Sequence, residues 1–224
     1  MGDYCSRLNH CLPPDIRILA YADVPPQFDS RFSCIYREYK YFFFAGPDEG
    51  IDVEKVRKAA KRYVGLHDFR NFCKRDEPSD KADNFLRDEI ACRDVEDEAQ
   101  NYKRRIYQYR IVQVSPEEPN QSRAVYMAVI KGSAFLQYQV RSMMAILFMV
   151  GRGIENETII DELLDVEKIP EKPNYRKAEG ENLILSDCGF EGVQWKNCNF
   201  FADYETFTSI KSQLNNLIIE KSLL

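Results

Sequence analysis

Residues 134–150 constrain this chain more than any other stretch. Ala134-Phe-Leu-Gln-Tyr138-Gln-Val140-Arg141-Ser-Met-Met-Ala-Ile-Leu-Phe-Met-Val150 has the length of a core helix, and Gly151 and Gly153 close it. From Met143 onward it is apolar nearly all round, so it belongs inside the fold. Arg141 interrupts that surface. A guanidinium is expensive to bury unless it is paired, so Arg141 demands an acidic partner, either in a structural ion pair or as a carboxylate held at an active site.

The remaining pattern supplies a sheet for this helix to cover. Ile16–Val24, Arg31–Phe44, Asn84–Val95, Arg105–Val114, Ala124–Lys131 and Leu183–Phe190 read as strands. Asp52–Val64 is helical, with Val53, Val56, Ala60 and Val64 on one face, and Thr158–Val166 and Tyr204–Leu224 are further helices. Cys5–Leu12 has the spacing of a helix end, stopped by Pro13-Pro14. A chain that opens on a helix end is expected to be part of a longer one. The order of elements predicts an α+β fold, a mixed or antiparallel sheet backed by helices.

Composition narrows the function little. The net charge is -5 and the pI about 5.3, which argues mildly against nucleic acid. The stretch 54–75 runs the other way: eight Lys/Arg against Glu54 and Asp68, 8 − 2 = +6. It is either a phosphate-contacting surface or a solvated helix face. Seven cysteines without a C-x-x-C pair, and two histidines, His10 and His67, do not make a zinc site. The odd cysteine count predicts free thiols in a reducing compartment. No apolar run reaches the roughly 18 residues of a membrane span, and residues 1–14 have no signal-peptide core.

Three further stretches carry chemistry. In Arg37-Glu-Tyr39-Lys-Tyr41, a strand puts Arg37, Tyr39 and Tyr41 on one face. That face suits either base stacking beside phosphate-holding cations or ordinary aromatic packing. His67-Asp68 is an acid–base pair or a turn. Asn182-Leu183-Ile-Leu-Ser-Asp187 is a buried strand.

These stretches, in this order, resemble the TruA family of tRNA pseudouridine synthases. Leu8-Asn9 with Leu12-Pro-Pro-Asp15-Ile16 is similar to the family's L-N-x-x-L-P-x-D-I, and Phe28-Asp-Ser-Arg31-Phe32-Ser33 to F-x-A-R-F-S. Arg37 to Tyr41 matches R-x-Y-x-Y. His67-Asp-Phe69, then Asn84–Ile90 with Arg87, resemble the next blocks, and Ala134–Gly151 the long A-F-L-x-x-x-V-R-x-M helix. The likeness runs from about residue 7 to residue 195. Its wording is nearest the eukaryotic branch acting on uridines 38 and 39 of the tRNA anticodon arm.

The resemblance implies the C-terminal half of the family's fold, a ferredoxin-like elaboration, over residues 15–200. Residues 1–14 would then be the end of an upstream helix, and residues 201–224 a terminal helix. It implies an isomerase that breaks a uridine's glycosidic bond, turns the base and rejoins it through carbon, after the base has left the stack. Tyr39 takes the place of the tyrosine that contacts the target base. Arg141 takes that of the arginine paired with the catalytic aspartate, and Leu183 that of the apolar residue lining the base pocket. No metal or other cofactor is implied. tRNA is the implied partner, with a homodimer also within the family's range, no membrane, and a cytoplasmic or nuclear address.

Two departures qualify the likeness. The nucleophilic aspartate of the family's G-R-T-D-x-G-V-H segment has no counterpart in these 224 residues, so this chain alone is expected to be inactive. The family also has His where this chain has Tyr138. Two readings follow: the arginine-bearing part of an active synthase, or a non-catalytic RNA-binding module of the same fold. A structural protein without RNA would leave Tyr39 and Arg141 as mere packing.

Overall fold

The computed structural model describes residues 4–13, 15–74, 102–115 and 123–197. The expected strand Asn84–Val95, the Arg87 block and the terminal helix 204–224 lie outside them. The chain divides into two compact units, one of residues 1–35 with 189–224, the other of residues 36–188.

In the first unit α1 spans Tyr4–Cys11 and ends before Pro13. The strand expected over Ile16–Val24 shrinks to β1, Ala20–Tyr21, paired antiparallel with β7, Lys196–Asn197. Asn9 does much of the ordering here. Its side chain takes the Ile18 N–H at 2.7 Å and gives an N–H to the Ile18 carbonyl at 2.9 Å, so Ile18 bonds a side chain instead of a neighbouring strand. Cys5 is disulfide-bonded, which corrects the expectation of free thiols throughout. Cys11, Cys34, Cys73 and Cys188 do carry free thiols.

The second unit is built on an antiparallel five-stranded sheet in the order β3-β4-β5-β2-β6. Its strands are β2 (Cys34–Ala45), β3 (Gly65–Asp68), β4 (Lys103–Gln113), β5 (Ala124–Gly132) and β6 (Leu183–Phe190). β2 lies inside the sheet and pairs with β5 from Arg37↔Gly132 to Ala45↔Ala124. Period-2 alternation puts Tyr39, Tyr41, Phe43 and Ala45 on one face, beside Ile130, Ala128 and Tyr126 of β5.

That face is covered by α2 (Val53–Ala60) and α3 (Gln139–Gly151). α2 starts where the Asp52 carboxylate takes the Glu54 and Lys55 N–H groups. α3 buries Met143, Met144, Leu147 and Val150 almost completely. The two helices meet at Gly151, where a Cβ would stand 2.8 Å from Val56 Cγ2 and 3.0 Å from Ile51 Cγ2. α3 starts five residues later than the expected Ala134, because residues 134–138 form a turn. α4 (Ile159–Leu164) follows, and residues 165–182 then return to β6 as a strap without helix or strand.

The core is unusually rich in tyrosine, with a pH consequence. Tyr63 and Tyr109 stack at 5.7 Å, and burial pushes both hydroxyls, and that of Tyr175, far above the ordinary value. Burial also pushes Tyr41 up to about 12, against the opposing pull of Asn182 and Arg141. When the folded pKa is raised, the unfolded chain loses its proton first. Stability is therefore full below pH 10.0, the ordinary tyrosine value, and falls as pH rises toward about 12. Circular dichroism and tyrosinate absorbance should change together in that window. Tyrosinate appearing fully at pH 10.0 in a still-folded protein would contradict this burial.

Candidate uridine-binding site

Tyr39, on β2, is half-buried and meets the Phe135 ring edge-on, centroids 5.1 Å apart. Phe135 can reach it because it lies over Gly132, where a Cβ would be 3.0 Å from the Phe135 Cζ. Leu183, the first residue of β6, is half-buried and packs on the same apolar cluster as Tyr39. Its place follows from two bonds: the Phe42 N–H donates to the Asn182 carbonyl at 3.0 Å, and the Ser186 hydroxyl to the Glu38 carbonyl at 3.2 Å. In an antiparallel pair these set Leu183 opposite Tyr41, diagonal to Tyr39 and on its face.

Arg141, in the first turn of α3, is half-buried and clasped by the strap. Its Nε donates to the Ala178 carbonyl at 2.6 Å, while its own carbonyl accepts the Ala178 N–H at 3.1 Å. Its guanidinium lies against Gly180, where a Cβ would be 3.1 Å from Nη1 and 3.2 Å from Cζ, so any larger residue would push it aside. It is close enough to Tyr41 to lower that hydroxyl's pKa. Arg141 forms no ion pair among the described residues, and its two Nη groups donate no hydrogen bond there. Its partner in this structure is a carbonyl, not the acid its sequence setting demanded.

The structure therefore brings Tyr39, Leu183 and Arg141 to one face of the sheet, joined through Tyr41. The same geometry can hold a flat ring between aromatic and aliphatic walls, with a fixed cation presenting parallel N–H groups. A scan against protein-family models matches residues 59–191 to the model described as tRNA pseudouridine synthase. The chain belongs to this family.

Curated relatives agree with that membership. The chain is 44% identical over 194 residues to the human tRNA pseudouridine(38/39) synthase, covering 86% of this chain and 36% of that protein. The Saccharomyces cerevisiae protein of the same name is 40% identical, with 86% and 38% covered. The tRNA pseudouridine synthase A of Methanothrix thermoacetophila is 30% identical, with 84% and 57% covered. The chain thus spans little more than a third of the first two relatives.

In this member of the family, the other candidate groups take structural places. Asp68 binds the Arg70 backbone N–H at 2.9 Å and its guanidinium at 3.1 and 2.7 Å. The His67 Nε2 lies 3.1 Å from the Val64 carbonyl, so the two do not form a dyad. Asp187 accepts the Tyr36 hydroxyl at 2.8 Å. Part of the basic run 54–75 is paired: Arg57 with Glu54, Lys58 and Arg62 with Glu157, and Arg62 with Asp161, so two acids from outside the run lower its excess from +6 to +4, 6 − 2 = 4. The acids Glu157 and Asp161 stand about a hundred residues downstream, where no local charge count finds them.

Sequence reasoning also passed over the residues that hold the site. Asn71 is fully buried and donates to the Leu163 carbonyl at 3.0 Å and the Ile169 carbonyl at 2.6 Å. The Asn71 carbonyl accepts the Tyr175 hydroxyl at 2.6 Å. Lys172 reaches the Cys73 carbonyl at 3.0 Å. Together these fasten the strap that ends at Ala178 and Gly180. Two surface cavities, about 510 and 600 Å³, are lined by Lys55 and Gly153 and by Arg7 and Arg17 among others, and neither includes Tyr39, Arg141 or Leu183.

Proposed function

We propose that this chain forms the base-binding, arginine-bearing side of a site that isomerises uridine to pseudouridine in tRNA, at positions 38 and 39 of the anticodon arm. The observation that carries the reading is Arg141, held at Nε by Ala178, with no Nη hydrogen bond among the described residues and near enough to Tyr41, on the face of Tyr39 and Leu183, to lower that hydroxyl's pKa. Two parallel N–H groups are the geometry that orients a carboxylate. In the reaction the N1–C1′ bond breaks, the base turns, and C5 bonds to C1′. The proton leaves C5 and N1 gains one, so the product is an isomer. Leu183 and Phe135 would wall the base, Tyr39 would face it, and Arg141 would orient the attacking aspartate. That aspartate belongs to a segment with no match in these 224 residues. The named relatives act on tRNA, which supports a cytoplasmic or nuclear setting.

The test is tritium release from 5-tritiated uridine in tRNA. The 224-residue chain should bind tRNA with steep salt dependence and release no tritium. A protein joining it to the family's aspartate segment should release it. Turnover by the chain alone would put the nucleophile among its own carboxylates and overturn the assignment. Binding without turnover by the joined protein would make the chain a binding module.

A further inference from the structure

Tyr138 stands apart from the residues that build the core. Among the described residues it is the one non-glycine with positive φ, at 65°, in the left-handed region that disfavours a side chain. Three hydrogen bonds fix its loop: Leu136 N–H to the Gln139 side chain at 2.8 Å, Lys74 N–H to the Gln137 carbonyl at 3.0 Å, and Ser142 N–H to the Tyr138 carbonyl at 3.0 Å. None of them uses the Tyr138 side chain, so glycine would make all three without strain.

The ring lies outside the apolar core cluster. Tyr138 is 36% exposed, and its hydroxyl has no hydrogen-bond partner among the described residues. What surrounds the ring is cationic: Lys177 Nζ lies 4.0 Å from its centroid and Arg141 Cζ 5.5 Å. Strain of this kind concentrates at functional positions. A partly exposed aromatic ring capped by an ammonium and close to the site's own arginine has the chemistry to receive a base and its phosphate.

We propose that Tyr138 and Lys177 form a stacking subsite for an unpaired nucleobase of the substrate RNA that neighbours the target uridine. The base takes the place of the Lys177 ammonium over the ring, and the ammonium moves to that nucleotide's phosphate. The proposal rests on the reading of the Tyr39–Arg141–Leu183 site as a uridine site.

The experiment uses the 224-residue chain and an anticodon-arm hairpin RNA carrying 2-aminopurine at each unpaired loop position in turn. The wild-type chain should quench the probe at one position beside the target uridine. Tyr138→Phe should keep both quench and affinity. Tyr138→Leu and Tyr138→Gly should lose the quench and bind about tenfold more weakly, and Tyr138→Gly should melt no lower than wild type. Lys177→Gln should reduce the slope of log affinity against log salt by about one. A Tyr138→Gly variant that binds and quenches like wild type overturns the subsite and leaves the uridine site standing. One that melts far lower shows the ring to be packing and overturns it equally. A folded wild-type chain that binds no RNA overturns the site reading and this proposal together.

Discussion

Arg141→Ala, in a protein joining this chain to the family's aspartate segment, should cut tritium release roughly 10²–10³-fold, the range for loss of one preorganised electrostatic group. The loss should fall on kcat more than on KM, because the arginine orients the nucleophile and does not hold the RNA. The same substitution should cost the 224-residue chain less than about 3 kcal/mol in urea, below the ~3–5 kcal/mol of breaking a buried ion pair. The reason is its partner: one carbonyl, that of Ala178, and no carboxylate among the described residues. Tyr39→Ala should lose activity comparably, and Gly180→Val should mimic both by displacing the guanidinium. A large stability loss with activity intact would show Arg141 to be a structural tie.

Asn71→Ala should be among the most damaging single changes to stability. Asn71 has no exposed surface, and its amide serves two carbonyls from separate places, Leu163 at the end of α4 and Ile169 in the strap. Each buried carbonyl left unsatisfied costs about 1–3 kcal/mol. Removing Asn71's own buried Oδ1, which has no hydrogen-bond partner among the described residues, returns about one such penalty. The net predicted loss is roughly 1–5 kcal/mol in urea denaturation. Loosening the strap should also loosen Ala178, and with it Arg141, so the joined protein should lose turnover even at temperatures where it stays folded. A loss under about 1 kcal/mol would mean that water satisfies both carbonyls.

What the sequence disclosed depended on how local each cause is. β2 was legible because it is rich in aromatic residues and bounded by Ala45-Gly46-Pro47, and α3 because its apolar run has the length of a core helix and is closed by Gly151 and Gly153. The start of α3 was not: the turn at 134–138 is set by the Gln139 side chain folding back on Leu136, which leaves no conventional cap residue to read. β3 escaped because four residues, Gly-Leu-His-Asp, are too few for a period and are strand only by pairing with β4. The charge of 54–75 was only partly legible because two of its partners, Glu157 just before α4 and Asp161 within it, are distant in sequence. For the site, the demand of Arg141 for a partner was visible in its apolar setting. The identity of that partner was not, because the strap that supplies Ala178 is fixed in place by Asn71, a hundred residues earlier in sequence.

The pairing of β6 with β2 also sets a timetable for synthesis. Ser186 and Glu38, in contact in the finished protein, are 148 residues apart. At about 5–20 residues per second, a ribosome needs roughly 7–30 s to make the chain between them. β5 arrives first and closes one side of β2. The other edge waits with unpaired backbone N–H and C=O groups until Leu183 emerges. During that interval an open strand edge is presented to whatever else is nearby. The Leu183 side of the candidate site is thus one of the last features of this unit to exist. A nascent chain stalled before residue 183 would be a client for chaperones that hold exposed strands, and one released after it would not.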